Sequence, residues 1–250
     1  MRIFKIMFEN RNTYRKSVDG KGLVSFKVTV KETDLLIHAQ KNLKKEATEI
    51  VLKYRGYIEA YIQIFPEFAN TLVPWANNHP AHEIIRKMSD AGKKAGVGPM
   101  ASIAGAIAEY TGRDLLLLSD EVIIENGGDT FIHVKNSITI GIYAGSSPLS
   151  MKIGLKFNAL EKPFSVCTSS GTIGHSLSLG KSDAVCVISD SALIADAAAT
   201  SIGNRVKSNQ DISTAIDFGK NIEEVNGIVV VSGDKLGMWG DINIVKLKNT

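Results

Sequence analysis

The sequence predicts an α+β fold in which helices pack on a mostly antiparallel sheet. Apolar and polar residues alternate over 23–30, which is typical of a strand with one buried face. Apolar residues at spacings of three and four over 43–65 indicate a long helix. Several short strand-like segments then follow one another over 130–168. Strands and helices are therefore grouped as much as alternated, and this favours α+β.

The first third of the chain predicts a strand pair and two helices. Residues 33–39 are expected to pair with 23–30, and His38 is expected in that strand rather than as a ligand. Asn42 is a suitable N-cap for the helix at 43–65, which Pro66 ends. We expect an extended segment over 66–74. A second helix then begins at Pro80, runs to about residue 95 and is closed by Gly96.

The middle of the chain predicts a helix of small residues and a hairpin. Pro99 opens a helix of Ala, Ser and Gly that runs to about residue 108. Small side chains along a helix indicate that another backbone, or a flat ligand, packs very close. A strand at 121–125 follows, and Asn126-Gly127-Gly128-Asp129 is typical of a tight hairpin turn.

The remaining elements are short. Strands are expected at 130–134, 138–142, 151–157, 164–168 and 184–188. A small-residue helix at 192–202 and another at 211–220 come next. The chain is expected to end in a β-meander that contains 227–231 and 242–247.

Composition excludes several classes of protein. The 250 residues suffice for one large domain, 1–250, within which 1–97 and 98–250 form two conceivable lobes. A net charge of +3 is too small to indicate nucleic-acid binding but suits a small anionic ligand. No apolar run reaches the roughly 20 residues of a membrane helix. The first ten residues are too short and charged for a signal peptide, so we expect a cytoplasmic protein, with a homo-oligomer left open.

Two cysteines, Cys167 and Cys186, lie in apolar segments that are typical of strands. They lack C-x-x-C spacing. We therefore expect both to be buried and reduced.

Asp196 and Thr200 are the candidate metal ligands. They stand at i and i+4 with only alanines between them, so a helix places both oxygens on one face. Mg²⁺ prefers oxygen ligands and usually keeps water or substrate phosphate as well. The alternative is that Asp196 is a solvated helix residue and Thr200 a packed one.

A loop over 168–174 is the candidate phosphate site. Its glycines allow close approach of the backbone, and successive N–H groups in such a turn can bind an anion. No Gly-Lys-Ser/Thr follows, so it is not a Walker loop. A plain turn between strands would have much the same sequence.

Four stretches resemble an uncharacterised family of ApbE-like proteins, and the resemblance covers nearly the whole chain. These stretches are V-G-P-M-A-S-I-A-G-A-I-A-E at 97–109, E-N-G-G-D at 125–129, T-S-S-G-T-I-G-H-S at 168–176 and A-D-A-A-A-T-S-I-G-N at 195–204. Tyr14-Arg15 and K-E-T-D-L at 31–35 add to it. Over 98–204 the chain is more distantly similar to the FAD:protein FMN transferases, with the motifs in the same order.

That second resemblance implies FAD and Mg²⁺ as cofactors. In the transferases, the Asp and Thr that match Asp196 and Thr200 bind the metal together with a backbone carbonyl. The implied base is His175 or Asp129; His175 is otherwise a loop residue that caps a turn. The implied cofactor-binding residues belong to the glycine turn and the serine-rich loop: Gly127, Gly128, Thr168, Ser169, Ser170, Gly171 and Thr172.

The chain also departs from the transferases. Its small-residue helix has no Lys, and the segment between the loop and the next strand lacks their His-Ile-Ile-Asp-Pro pattern. The resemblance therefore implies one of two functions. The first is Mg²⁺-dependent FMN or nucleotidyl transfer, or pyrophosphate cleavage. The alternative is a non-catalytic cofactor-binding or structural oligomeric protein that lacks the transferase machinery.

Overall fold

A computed structural model describes residues 2–5, 22–76, 79–171 and 180–247, with the backbone alone for 2–5. The strands in these ranges are β1 (Arg2–Lys5), β2 (Val24–Val30), β3 (Thr33–Ala39), β4 (Val122–Asn126), β5 (Asp129–His133), β6 (Ile138–Gly141), β7 (Ile153–Phe157), β8 (Phe164–Ser169), β9 (Ala184–Ser189), β10 (Val225–Ser232), β11 (Lys235–Gly240) and β12 (Asn243–Lys246).

The helices in the same ranges are α1 (Lys44–Ile64), α2 (Glu67–Asn70), α3 (Glu83–Ala95), α4 (Ile103–Leu115), α5 (Ala192–Gly203) and α6 (Ile212–Gly219). Short 3-10 turns, Pro99–Ser102 and Asn209–Asp211, precede α4 and α6. No helix in the described part of the chain combines the length and apolar character needed to cross a bilayer.

The described strands form two sheets. The larger has eight strands in the order β11-β10-β9-β8-β5-β4-β3-β2, and each neighbouring pair is antiparallel. The smaller has the order β1-β6-β7-β12, with β1 and β6 parallel. The helices cover one face of the large sheet, and the small sheet covers the other. The predicted α+β fold is confirmed.

Each face of the large sheet has its own apolar core, because successive side chains of a strand point to opposite faces. On β5 and β8, Phe131 and Cys167 belong to the core beneath the helices. Ile132 and Val166, their neighbours in the chain, belong to the core between the sheets. This alternation decides which polar side chains of β5 and β8 can meet the helices.

Several local predictions need correction. The segment after Pro66 is not wholly extended, because α2 forms there. The helix predicted from Pro80 begins at Glu83, and the His82 side chain accepts a hydrogen bond from the backbone at its N-terminus. The helix predicted to end near residue 108 continues to Leu115, because buried residues beyond that point, such as Tyr110 and Leu115, extend its packed face.

The predicted C-terminal meander is also only half right. β10 and β11 form a hairpin, but β12 pairs with β7 in the small sheet. A strand's apolar pattern does not encode which edge it joins, and this partner lies far away in sequence.

Other local predictions are confirmed. Gly96 adopts φ 70° and closes α3. Asn42 Oδ1 accepts the Lys44 N–H at 3.0 Å, although Leu43 is the residue at the boundary of α1. Cys167 and Cys186 are buried free thiols.

Candidate functional site

Helix α5 is buried along its length except at Asp196 and Thr200. Every other residue from Ala192 to Gly203 is buried, and these two are partly exposed. They lie one turn apart on one face of the helix. We call the partly exposed side of α5 at these two residues the opening; it carries a carboxylate and a hydroxyl.

The small residues of α4 and α5 let the two helices approach closely. A Cβ at Gly105 would lie 2.2 Å from the Ala192 carbonyl oxygen and 3.0 Å from the Asp196 Cβ. Only glycine fits at this crossing. Of the two explanations for the small residues of α4, a neighbouring backbone accounts for Gly105.

Each of the two helices provides a carboxylate to the N-terminal part of the other. The Gly105 N–H donates to Asp196 Oδ2 at 2.9 Å. In return, Glu109 Oε2 accepts the Ala192 N–H at 2.6 Å and the Ser191 hydroxyl at 3.0 Å. The first N–H groups of a helix lack partners within it, and carboxylates stabilise its positive end. Asp196 thus has a structural role besides any role in binding.

The glycine turn brings Asp129 to the same place. Gly127 and Gly128 have φ of 65° and 110°, as a two-residue hairpin turn between β4 and β5 requires. The Asn126 amide donates to the Ala104 carbonyl at 3.0 Å, which attaches the end of the hairpin to the start of α4. Asp129 therefore begins β5 beneath the crossing of α4 and α5.

Asp129 and Asp196 are neighbouring carboxylates, and the pKa of each is raised. Burial, and then the negative charge of Asp196, raise the pKa of Asp129 well above its usual value. Removal from water raises the pKa of Asp196 to about 7, against the opposing effect of the Gly105 and Ala104 backbone. Asp129 Oδ1 is buried without a hydrogen-bond partner among the described residues.

Cys167 lies at the same pair. Its thiol donates to the Ala192 carbonyl at 3.4 Å and also interacts with Asp129. Burial, followed by the charges of Asp129 and Asp196, raises the pKa of this thiol well above its usual value. Cys167 is thus a neutral neighbour of the two carboxylates.

The candidate phosphate loop over 168–174 begins inside β8, where successive side chains lie on opposite faces of the sheet. The Thr168 hydroxyl points to Cys186, in the core between the sheets, at 3.4 Å. The backbone of Thr168 nevertheless lies beside the Asp129 carboxylate and lowers its pKa, against the larger effect of burial. Ser169 belongs to β8, not to the loop, and its hydroxyl lies on the helix side, 3.7 Å from where a Cβ at Gly203 would be.

The rest of this loop is described only at its ends. Ser170 and Gly171 are partly exposed. The Gly171 N–H donates to the Ser182 carbonyl at 2.9 Å, and a Cβ at Gly171 would lie 2.3 Å from the Gly180 carbonyl oxygen. Thr172 and His175 lie outside the described residues.

The residues present suit a divalent cation only in part. Among the described residues, no three His, Cys, Asp or Glu side chains are arranged to hold a metal ion. Asp129 and Asp196 can supply carboxylate oxygens, and Asp129 Oδ1 has no other partner. A hydroxyl, backbone carbonyls, water and ligand phosphate would have to complete the shell, which is the usual composition of a Mg²⁺ site.

Three residues of this site were not predicted from the sequence: Gly105, Glu109 and Cys167. Cys167 had a signal, because a strand residue two before Ser169 shares its face. Glu109 was visible only as the acid that ends a run of small residues. Its partners at the start of α5, Ser191 and Ala192, lie more than eighty residues away, so the sequence could not reveal them.

Comparison with known proteins places this fold. A crystal structure of the Pseudomonas stutzeri flavinyl transferase ApbE, apo form, matches with a TM-score of 0.54 and 13% identity, over 87% of this chain and 93% of that one. The Thermotoga maritima ApbE protein matches with a TM-score of 0.54 and 12% identity, over 86% and 96% of the two chains. At such low identity the likeness establishes an ApbE-like fold.

Sequence comparison adds the family. The family model described as "AbpE bacteria" matches residues 15–231, and the chain belongs to that family. A UPF0280 protein of Methanocaldococcus jannaschii is 41% identical over 86% of this chain and 90% of its own length. A UPF0280 protein of Methanosarcina acetivorans is 36% identical over 85% of each chain. The ApbE-like resemblance noted in the motifs is thus confirmed.

Proposed function

We propose that this protein binds FAD, or a related flavin nucleotide with a pyrophosphate, together with Mg²⁺ at the opening beside Asp196 and Thr200. One observation carries the proposal: α5 is buried everywhere except at these two oxygen-bearing residues. The ApbE-like fold, and the description of one structural neighbour as a flavinyl transferase, support the choice of flavin.

Charge supports the requirement for a cation. Asp129 and Asp196 are close enough that the charge of one raises the pKa of the other. An anionic pyrophosphate would be repelled by this pair unless a cation lay between them. Asp196 and Thr200 would supply protein oxygens to Mg²⁺, and the backbone near Gly127, at which a Cβ would meet nothing within 4 Å, would face the phosphates.

The reaction class that follows is transfer or cleavage at the pyrophosphate. When bound, Mg²⁺ neutralises phosphate charge and favours displacement at phosphorus. The chain's own residues would orient the ligand and move a proton. The raised pKa of Asp129 means that it holds a proton more readily than an ordinary carboxyl. Asp129 and His175 are the two candidates for the base.

Thermal unfolding tests the binding. We expect FAD with Mg²⁺ to raise the Tm of the wild type, whereas FAD alone has little effect. Asp196→Ala should abolish the increase. Asp217→Asn is the matched control, because Asp217 is an exposed helix residue paired with Lys220. No increase in the wild type, or an equal increase in Asp196→Ala, would contradict the proposal.

A product assay then separates enzyme from binding module. Wild-type protein incubated with FAD and Mg²⁺ should release FMN or AMP, detected by chromatography. Binding without either product would favour a non-catalytic cofactor-binding protein.

A structural role is the second candidate, and the helix crossing favours it. Gly105 and Asp196 both have packing roles between α4 and α5 that need no ligand. An absorbance scan and mass spectrum of freshly purified protein distinguish the cases. A co-purified flavin or nucleotide would exclude the purely structural role.

A further inference from the structure

Glu109 is a buried carboxylate whose partners all belong to the α4–α5 pair. It is 2% exposed. Oε2 accepts the Ala192 N–H and the Ser191 hydroxyl at the start of α5, while Oε1 pairs with Arg113 one turn along α4. Burying this charge is tolerable because donors and a cation surround it.

The bonds of Glu109 fix the end of α5 that leads to Asp196. Ala192 is the first residue of α5, and Asp196 follows one turn later. On α4, Gly105 precedes Glu109 by one turn and donates to Asp196. The two helices therefore meet at two carboxylate contacts, about one turn apart on each helix. A shift of α5 along its axis would lengthen both contacts.

We propose that Glu109 is a positioning residue, which holds α5 so that Asp196 and Thr200 face the ligand opening. This inference rests on the function proposed above. Glu109 itself does not reach the opening, since its two oxygens are used by Ser191, Ala192 and Arg113. Partners that orient metal ligands from behind typically change metal affinity by about 10–100-fold when they are removed.

The test compares variants that separate two contributions of Glu109: the hydrogen bonds that it accepts at the start of α5, called the cap below, and its ion pair with Arg113. Glu109→Ala removes both, and Glu109→Asp withdraws the carboxylate by one methylene if the alanine variant does not fold. Glu109→Gln keeps an oxygen that can accept the Ala192 N–H. Arg113→Gln is the control, because it removes the cation and leaves the cap.

Two measurements are made on each variant. Mn²⁺ is titrated in the presence of FAD and followed by electron paramagnetic resonance. Amide hydrogen exchange at Gly105 and Ala192 is measured by NMR on the protein without ligand.

We expect Glu109→Ala or Glu109→Asp to weaken Mn²⁺ binding about tenfold. The same variants should speed exchange at both amides about tenfold. Glu109→Gln should restore binding to within about threefold of the wild type, and Arg113→Gln should change it less than about twofold. Wild-type Mn²⁺ affinity in a folded Glu109→Ala or Glu109→Asp variant would overturn the inference. So would an equal loss in Arg113→Gln.

Failure of the proposed function gives a different pattern. If the wild type does not bind Mn²⁺ with FAD, that function is rejected, and exchange at Gly105 alone decides the positioning of α5. Faster exchange at Gly105 in Glu109→Ala or Glu109→Asp would still support it, and unchanged exchange would reject it.

Discussion

The two carboxylates that join α4 and α5 have very different surroundings. Glu109 has a cation, Arg113, and two hydrogen-bond donors at the start of α5. Asp196 accepts the Gly105 N–H but also faces Asp129, a second carboxylate. One charge is compensated by the fold, whereas the other is left in excess. An uncompensated charge at an opening is where a cation would bind most favourably.

The largest expected effect tests this contrast by removing the charge of Asp196. Asp196→Asn should weaken binding of Mn²⁺ with FAD by about 100-fold, because it removes an anionic ligand. The ligand-free variant should be as stable as the wild type or more stable, since repulsion from Asp129 disappears. Isothermal titration and urea unfolding measure the two effects. Glu109→Gln is the comparison and should lower the free energy of unfolding by about 1 kcal/mol, because it loses the ion pair with the half-exposed Arg113.

The crossing at Gly105 provides the next largest effect. Gly105→Ala places a methyl group 2.2 Å from the Ala192 carbonyl oxygen, so the helices must separate. We expect a loss of about 2 kcal/mol in the free energy of unfolding, measured in urea. Gly56→Ala is the control, because a Cβ there meets nothing within 4 Å. Equal stability of the two variants would show that the crossing is not tight.

A comparison of Thr200 and Thr168 tests which hydroxyl binds the metal. Thr200→Val should weaken Mn²⁺ binding about tenfold, because it removes an oxygen ligand. Thr168→Val should change it less than about twofold, since the Thr168 hydroxyl contacts Cys186 on the opposite face of β8. Titration with FAD present measures both. The reverse order would place the ligand between the sheets.

The last comparison uses the pH dependence of stability. Folding raises the pKa of Asp196 from 3.8 to about 7, so the native state retains a proton that the unfolded state loses. The stabilisation from this group is therefore complete below about pH 4 and is lost as the pH rises to about 7. The Tm of Asp196→Asn minus that of the wild type should therefore increase by a few degrees as the pH rises from about 4.5 to about 8.

The contribution of His38 to the pH dependence of stability has the opposite sign and must be cancelled in that measurement. Burial lowers the pKa of His38 from 6.5 to about 4, so the unfolded state binds the extra proton. Its stabilisation is present above about pH 6.5 and is lost as the pH falls to about 4. The difference in Tm between Asp196→Asn and the wild type removes this contribution. A flat difference would show that Asp196 titrates normally.

The sequence predicts structure that depends on neighbouring residues, but not contacts between segments that are distant in the chain. Turn chemistry at Gly127 and Gly128, the periodicity of α1 and the small residues of α5 were sufficient because they depend on neighbouring residues. The pairing of β12 with β7 and the contact of Glu109 with Ala192 join distant segments. No periodicity of the chain encodes such contacts. The fold class could therefore be predicted, whereas the two carboxylate contacts between α4 and α5 could not.

The candidate site shows the same division. Spacing alone placed Asp196 and Thr200 on one face of a helix, and motif order associated them with Asp129. The face of β8 on which Thr168 lies was not considered, although strand alternation from Cys167 determines it. The structure adds that Asp196 has a second role, as the acceptor for Gly105.

The most direct test of the site is a crystal soaked with Mn²⁺ and FAD and measured for anomalous scattering. We predict a Mn²⁺ peak within roughly 2.0–2.3 Å of an Asp196 carboxylate oxygen, with Thr200 Oγ1 also in the shell and FAD phosphate oxygens beside it. A fully bound FAD whose phosphates lie away from Asp196, or a crystal with no Mn²⁺ at this opening, would contradict the account.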